Sequence, residues 1–169
     1  MQPWFPLGFL RRLGKTIQVI AFLSGMFDLQ KVKHALIVMP LSVIPNWEKE
    51  LEKWAPGIFV SLYHGPKRER ERTFAKFVRR EGVCLSSYGT VATSYEDLSR
   101  VNGREFVWDY VILDEGHKIK NPTKTSKSLH AIPAKNRIIL TGTPIQNNLK
   151  VWVPPPIHGP SAPLIVPLF

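Results

Sequence analysis

Residues 110–121, Tyr-Val-Ile-Leu-Asp-Glu-Gly-His-Lys-Ile-Lys-Asn, constrain this chain more than any other stretch, because a short apolar run stops abruptly at two adjacent carboxylates, Asp114 and Glu115. In α/β folds, ligands bind in the crevice at the carboxyl ends of the strands, so a buried strand ending in acids delivers them there. The same letters also fit a core strand running into a solvated, charged turn, and this stretch alone does not separate the two. Two further stretches favour the first reading: Leu13-Gly14-Lys15-Thr16 upstream, and Leu140-Thr141-Gly142-Thr143-Pro144-Ile145-Gln146-Asn147-Asn148 downstream.

The rest of the chain reads as alternating strands and helices. Residues 15–27 predict a helix with Ile17, Ile20 and Ala21 on one face. Val19, Phe22 and Leu23 make it apolar nearly all round, so it is expected to be buried on several sides. Residues 34–40 suit a buried strand. Ser42 is expected to cap a helix in which Ile44, Trp47, Leu51 and Trp54 recur at helical spacing, with Pro45 tolerated in the first turn. Residues 58–63 return as a strand, and 67–80 form a basic helix anchored by Phe74, Phe77 and Val78. Further strands are expected at 83–87, 110–114 and 137–141, with a helix at 88–98 and a turn at Asn102-Gly103. This alternation implies crossover connections and a mostly parallel sheet with helices on both faces.

Both ends differ from the middle. Residues 1–12 are aromatic and broken by Pro3 and Pro6, poor material for a strand. Six of the fifteen prolines follow Lys150, so the proline excess belongs to residues 151–169, which read as an extended or disordered tail. The expected organisation is a divergent segment (1–12), one α/β lobe (13–150) and this tail.

A formal net charge of +10 on 169 residues favours a polyanionic partner, without choosing between nucleic acid and an anionic membrane surface. No apolar run approaches the roughly 20 residues of a membrane-spanning helix, and the first ten residues lack the features of a secretory signal. A lone cysteine, Cys84, precludes an internal disulfide and fits a reducing compartment. A soluble intracellular protein is expected.

The motifs specify a chemistry. Gly14-Lys15-Thr16 is the end of a phosphate-binding loop: the glycine lets the backbone approach a phosphate, Lys15 reaches the β/γ oxygens and Thr16 ligates Mg²⁺. The helix that follows points its amino-terminal amides at the same anion. Asp114 would hold Mg²⁺ and Glu115 polarise the attacking water, since phosphoryl transfer is catalysed mainly by positioning and charge neutralisation. His117, three residues after Asp114, is placed to face the Thr141-Gly142-Thr143 turn. His34, His64, His130 and His158 have no such context and read as structural or solvated.

The series Leu-Gly-Lys-Thr, Ile-Val-Met-Pro-Leu-Ser, Ser-Ser-Tyr-Gly-Thr, Asp-Glu-Gly-His-Lys-Ile-Lys-Asn and Leu-Thr-Gly-Thr-Pro-Ile-Gln-Asn-Asn-Leu resembles the first RecA-like lobe of the Swi/Snf-type ATPases over residues 13–150. Ile-Ala-Phe-Leu-Ser-Gly-Met-Phe-Asp and Glu-Phe-Val-Trp-Asp-Tyr-Val-Ile-Leu-Asp-Glu look most like the excision-repair-six-like (PICH-type) translocases. Asp-Glu-Gly-His-Lys-Ile also resembles the Cockayne-syndrome repair ATPase. The resemblance implies a P-loop fold, ATP and Mg²⁺ as cofactors, and a motor on duplex DNA and chromatin in the nucleus, for the PICH type on mitotic chromosomes. It further implies that Pro40 to Ser42 and Ser86 to Tyr88 lie near the DNA backbone, with Pro40, Ser42 and Ser87 the candidate contacts, and that Thr141, Gly142 and Thr143 couple hydrolysis to lobe movement, with His117 beside them. From His117 through Arg137 there are six Lys or Arg and no acid, and Lys118 and Lys120 are the foremost candidates to meet phosphates.

Two departures from the family pattern stand out. Family members read Asp-Glu-Met-Gly-Leu-Gly-Lys-Thr at the phosphate loop, whereas Arg12 here replaces a glycine. If that position needs φ > 0, the side chain adds strain on the order of 1–3 kcal/mol. The strand feeding the loop, the adenine-reading segment and the second lobe have no counterpart, so the expectation is a partial lobe that turns over little ATP alone. A non-catalytic basic fragment that binds DNA or a partner is the alternative. RNA unwinding is disfavoured because Thr-Gly-Thr-Pro-Ile-Gln-Asn-Asn differs from the Ser-Ala-Thr type of those enzymes.

Overall fold

The computed structural model describes residues 14–115 and 124–140, and the backbone of 164–165. The elements run α1 (Lys15–Asp28), β1 (His34–Met39), a 3₁₀ turn (Leu41–Val43), α2 (Ile44–Trp54), β2 (Phe59–Leu62), α3 (Lys67–Val78), β3 (Gly82–Ser87) and α4 (Tyr88–Ser94). A second 3₁₀ turn (Asp97–Ser99) leads into β4 (Arg100–Val101), β5 (Arg104–Glu105), β6 (Trp108–Leu113), α5 (Lys124–Ala131), β7 (Ala134–Ile139) and β8 (Leu164–Ile165). The main sheet has the order β2-β3-β1-β6-β7-β8 with every pair parallel.

Alternation along the strands explains how one sheet serves two cores. In β1, Ala35, Ile37 and Met39 face one side with Val83, Leu85 and Ile112, where α1 supplies Val19, Ile20 and Leu23 and α2 supplies Ile44, Trp47 and Leu51. Leu36 and Val38 face the other side with Cys84, Val111 and Leu113, covered by Phe74 and Phe77 of α3, Val91 of α4 and Leu129 of α5. Helices thus cover both faces, and β1, buried on both, reads as a nearly continuous apolar run. Gly82 is required by close approach: a Cβ there would stand 2.1 Å from the Phe59 carbonyl oxygen. Asn102 and Gly103, both at positive φ, close the small antiparallel hairpin of β4 and β5.

Several expectations need correction. α1 buries one face rather than several: Val19, Ile20 and Leu23 are buried, whereas Ala21 and Phe22 are exposed. It packs on one side of the sheet, and its apolar excess is left outward. Ser42 lies exposed in the 3₁₀ turn and caps nothing, because α2 begins after that turn with Val43 at its cap position and no side-chain cap. Trp54 is exposed, its indole N–H donating to Glu50 and its ring lying under Lys53. The helix expected over 88–98 ends at Ser94, after which the chain turns to bury Leu98. β7 starts three residues earlier than expected, at Ala134, which moves Lys135 to the amino-terminal edge of the sheet. Within 151–169 the described pair Leu164–Ile165 is extended and hydrogen-bonds in parallel to β7.

Candidate active site

The strand register brings one end of the sheet to a common edge. Met39 of β1 is level with Ser87 of β3, Val38 with Leu113 of β6, and Leu113 with Ile139 of β7. Pro40, Tyr88, Asp114 and Leu140, the residues that follow these strands, therefore leave the sheet together, at the crevice where open parallel sheets bind ligands. α1 also starts at this edge, for Lys15 Nζ lies 4.0 Å from Glu115 Oε1. Both side chains are about one-third exposed, 30% and 35%, so the pair adds little stability. What it fixes is location: residues 100 positions apart in the chain meet at one point.

Asp114 is 7% exposed. Its Oδ2 accepts from Trp47 Nε1 at 2.9 Å and its Oδ1 from the Glu115 amide at 2.9 Å. The Asp114 carbonyl oxygen accepts from the Tyr88 hydroxyl at 2.6 Å. Among the described residues no Lys or Arg forms an ion pair with Asp114. A buried carboxylate met by neutral donors alone is costly unless a cation joins it, which fits a Mg²⁺ site. The described residues hold no cluster of three acids, histidines or cysteines. Mg²⁺ here would therefore take Asp114, the Thr16 hydroxyl, water and ligand phosphates, the mixed shell this ion favours. Glu115 sits at φ 55°, a left-handed conformation that costs a non-glycine residue about 1–3 kcal/mol.

The phosphate-loop residues fit an incoming anion. Gly14 caps α1 with no side-chain cap and no acid in the first turn; the Ile17 and Gln18 amides donate to the Gly14 carbonyl, and the amides of Lys15 and Thr16 ahead of them stand at the positive end of the helix dipole. Among the described residues, no atom beyond Gly14's chain neighbours and its own helix backbone lies within 4 Å of where a Gly14 Cβ would stand, room for a ligand to reach the backbone. Thr16 is half-buried one residue on from Lys15.

Other candidates separate. Pro40 is half-buried and Ser42 exposed at the start of the 3₁₀ turn. Ser87 is buried and its hydroxyl accepts from the Thr90 amide at 3.2 Å as the cap of α4. His117, Lys118, Lys120, Thr141, Gly142 and Thr143 lie outside the described residues. Trp47 was not expected at the site, and Tyr88 only near the DNA backbone, with no link to the acid pair. The signal for Trp47 was its own chemistry: a fully buried indole needs an acceptor, and none is available along the apolar face of α2.

A model of the SNF2-related domain matches residues 12–153. The chain belongs to the SNF2-related family. Among curated relatives it is 56% identical over 143 residues to the DNA excision repair protein ERCC-6-like of Danio rerio and 54% identical to that of Homo sapiens. It is 41% identical to Protein CHROMATIN REMODELING 24 of Arabidopsis thaliana. Each alignment covers 83% of this chain but 10%, 11% and 14% of those proteins respectively. The solved SWI2/SNF2 ATPase core of Sulfolobus solfataricus in complex with dsDNA superposes with a TM-score of 0.67 at 35% identity, covering 82% of this chain and 27% of that one. The fold is thus that of an SNF2-type RecA-like lobe, and the matched stretch is the amino-terminal lobe of the ATPase core. Membership in the SNF2-related family implies nucleotide and Mg²⁺ as general cofactors.

Proposed function

We propose that this chain carries the phosphate-gripping half of an ATP-driven duplex-DNA motor. The observation that carries the reading is the 4.0 Å approach of Lys15 to Glu115 beside a buried Asp114 that has no cationic partner among the described residues. Lys15 binds the β/γ-phosphates, and the first amides of α1 add neutral donors to the same oxygens. Thr16 and Asp114 would hold Mg²⁺, which would supply charge neutralisation at the phosphates. Glu115 orients the attacking water and accepts its proton. Positioning supplies most of the rate in such reactions.

Duplex DNA or chromatin is the proposed partner, and the nucleus the proposed location. The dsDNA bound by the Sulfolobus core supports the partner, and the names of the curated relatives support both. Pro40, Ser42, Ser87, Lys118 and Lys120 are proposed to lie along the DNA backbone, with Ser87 acting through the start of α4 rather than its committed hydroxyl. His117, Thr141, Gly142 and Thr143 are proposed to couple hydrolysis to movement. The chain alone is proposed to bind nucleotide weakly and turn over little, since a second lobe normally completes the site.

Nucleotide binding and steady-state ATP hydrolysis, with and without duplex DNA, test this. Weak binding lost in Lys15→Ala, with little turnover, is the expected outcome. Robust DNA-stimulated turnover abolished by Glu115→Gln would overturn the claim of incompetence. DNA binding that ignores both ATP and Lys15→Ala would instead favour a basic, non-catalytic fragment.

A further inference from the structure

The hydrogen bonds around the acid pair converge on one peptide group. The peptide joining Asp114 to Glu115 has its oxygen held by the Tyr88 hydroxyl at 2.6 Å and its N–H held by Asp114 Oδ1 at 2.9 Å. Rotating that peptide would break both bonds, and its rotation is what would carry Glu115 out of φ 55° into the right-handed region that a non-glycine residue prefers. The carboxylate that serves as one of these anchors is itself fixed, because its other oxygen accepts from Trp47 Nε1 at 2.9 Å. The amide of Asp114 donates to the Val38 carbonyl at 2.8 Å, so the strand end beneath is anchored as well.

We propose that Tyr88 and Trp47 are positioning residues for the acid pair: together they clamp the Asp114–Glu115 peptide and hold Glu115 in its left-handed conformation, with its carboxylate turned toward Lys15. The two come from different parts of the sheet edge, Tyr88 opening α4 after β3 and Trp47 lying in α2 after β1. The acid pair is thereby set by residues following two other strands, β1 and β3, as well as by its own strand β6. Strain at Glu115 persists only because its surroundings over-determine it. The functional meaning of the clamp rests on the nucleotide-site reading, whereas the clamp itself does not.

The full chain, labelled with ¹³C and ¹⁵N, provides the test. Tyr88→Phe removes one oxygen. It is expected to move the Glu115 Cα and amide resonances toward right-handed values and to speed Glu115 amide exchange about tenfold, the loss of one hydrogen bond. Tyr95→Phe, remote from the site, should leave them in place. Trp47→Phe keeps most of the ring volume and is expected to move the Asp114 carboxyl carbon and the Glu115 amide. It should also raise about tenfold the Mg²⁺ concentration needed for half-maximal binding of a fluorescent ATP analogue. Should Tyr88→Phe fail to fold, Trp47→Phe decides by the same resonances. Glu115 resonances unmoved in the folded variants would overturn the clamp. Wild-type chain that binds no nucleotide at any Mg²⁺ concentration would overturn the nucleotide-site reading, while the resonances still judge the clamp on their own.

Discussion

Strand β6 is bracketed by two aspartates, Asp109 at its start and Asp114 just after its end, and the two are handled in opposite ways. Asp109, at the amino-terminal edge, accepts from the amides of Lys33 and His34 at 2.8 and 3.0 Å and pairs with Lys135 Nζ at 2.7 Å. Asp114, at the carboxyl-terminal edge, is equally buried at 7% against 8%, yet its named partners are an indole and an amide. Burial alone therefore does not tell a structural carboxylate from a functional one. What differs between them is the cation: Asp109 has Lys135 and ties the starts of β1, β6 and β7 together, whereas among the described residues no Lys or Arg pairs with Asp114, as the Mg²⁺ role proposed for it requires.

This contrast can be broken by mutation. Asp109→Ala would strand two strand-start amides and free Lys135, costing about 3 kcal/mol in urea or thermal unfolding, with the nucleotide site unaltered in place. The second effect is pH-dependent. Burial opposes ionisation of Asp109, but the Lys135 ammonium and the two backbone amides outweigh it, so its pKa lies below the ordinary carboxylate value. Its native form binds fewer protons than its unfolded form, so its contribution is present above roughly pH 4. That contribution should fade as pH falls through the lower native value, and an acid-unfolding curve that is not flattened by Asp109→Asn would contradict the assignment.

A smaller effect is expected at His34, whose imidazole sits edge-on to Phe77 and Phe106. Burial lowers its pKa, so the folded chain favours the neutral ring. Stability should decline as pH drops below about 6.5, the unfolded value, and the decline should vanish in a His34→Phe variant that still folds. The smallest effect sharpens the contrast most. Asp114→Asn keeps an acceptor for Trp47 but gives up the one the Glu115 amide uses. It also removes a buried charge with no Lys or Arg partner among the described residues. The two effects offset, so stability should stay within about 1 kcal/mol of wild type. A large loss, matching Asp109→Ala, would mean that both aspartates are structural.

Much of this was legible from residue order. The parallel sheet followed from apolar runs separated by amphipathic helices, and β1, α2, α3 and β6 fall close to where their periodicity puts them. Boundaries were less legible where tertiary packing competes with local preference. Tyr88–Ser94 stops short because Leu98 is drawn into the second core. Lys135, one of a run of basic residues, became half of an ion pair once β7 began at Ala134. Glu115 and Lys15 were each recognisable, but nothing local reports that Glu115 adopts a left-handed backbone.

By itself the sequence determined which chemistry is available: a lysine after glycine, an acid pair after an apolar run, and a strongly basic charge balance, all read from residue type and spacing. Only the tertiary structure decided that the lysine and the second acid stand 4.0 Å apart, and that an indole and a phenol from two helices bond the Asp114 carboxylate and its carbonyl oxygen. Periodicity assigns a side chain to a face, but the parallel register brings those strand ends to a common edge. Contacts of that kind depend on how separate elements are levelled against each other, which no local pattern encodes.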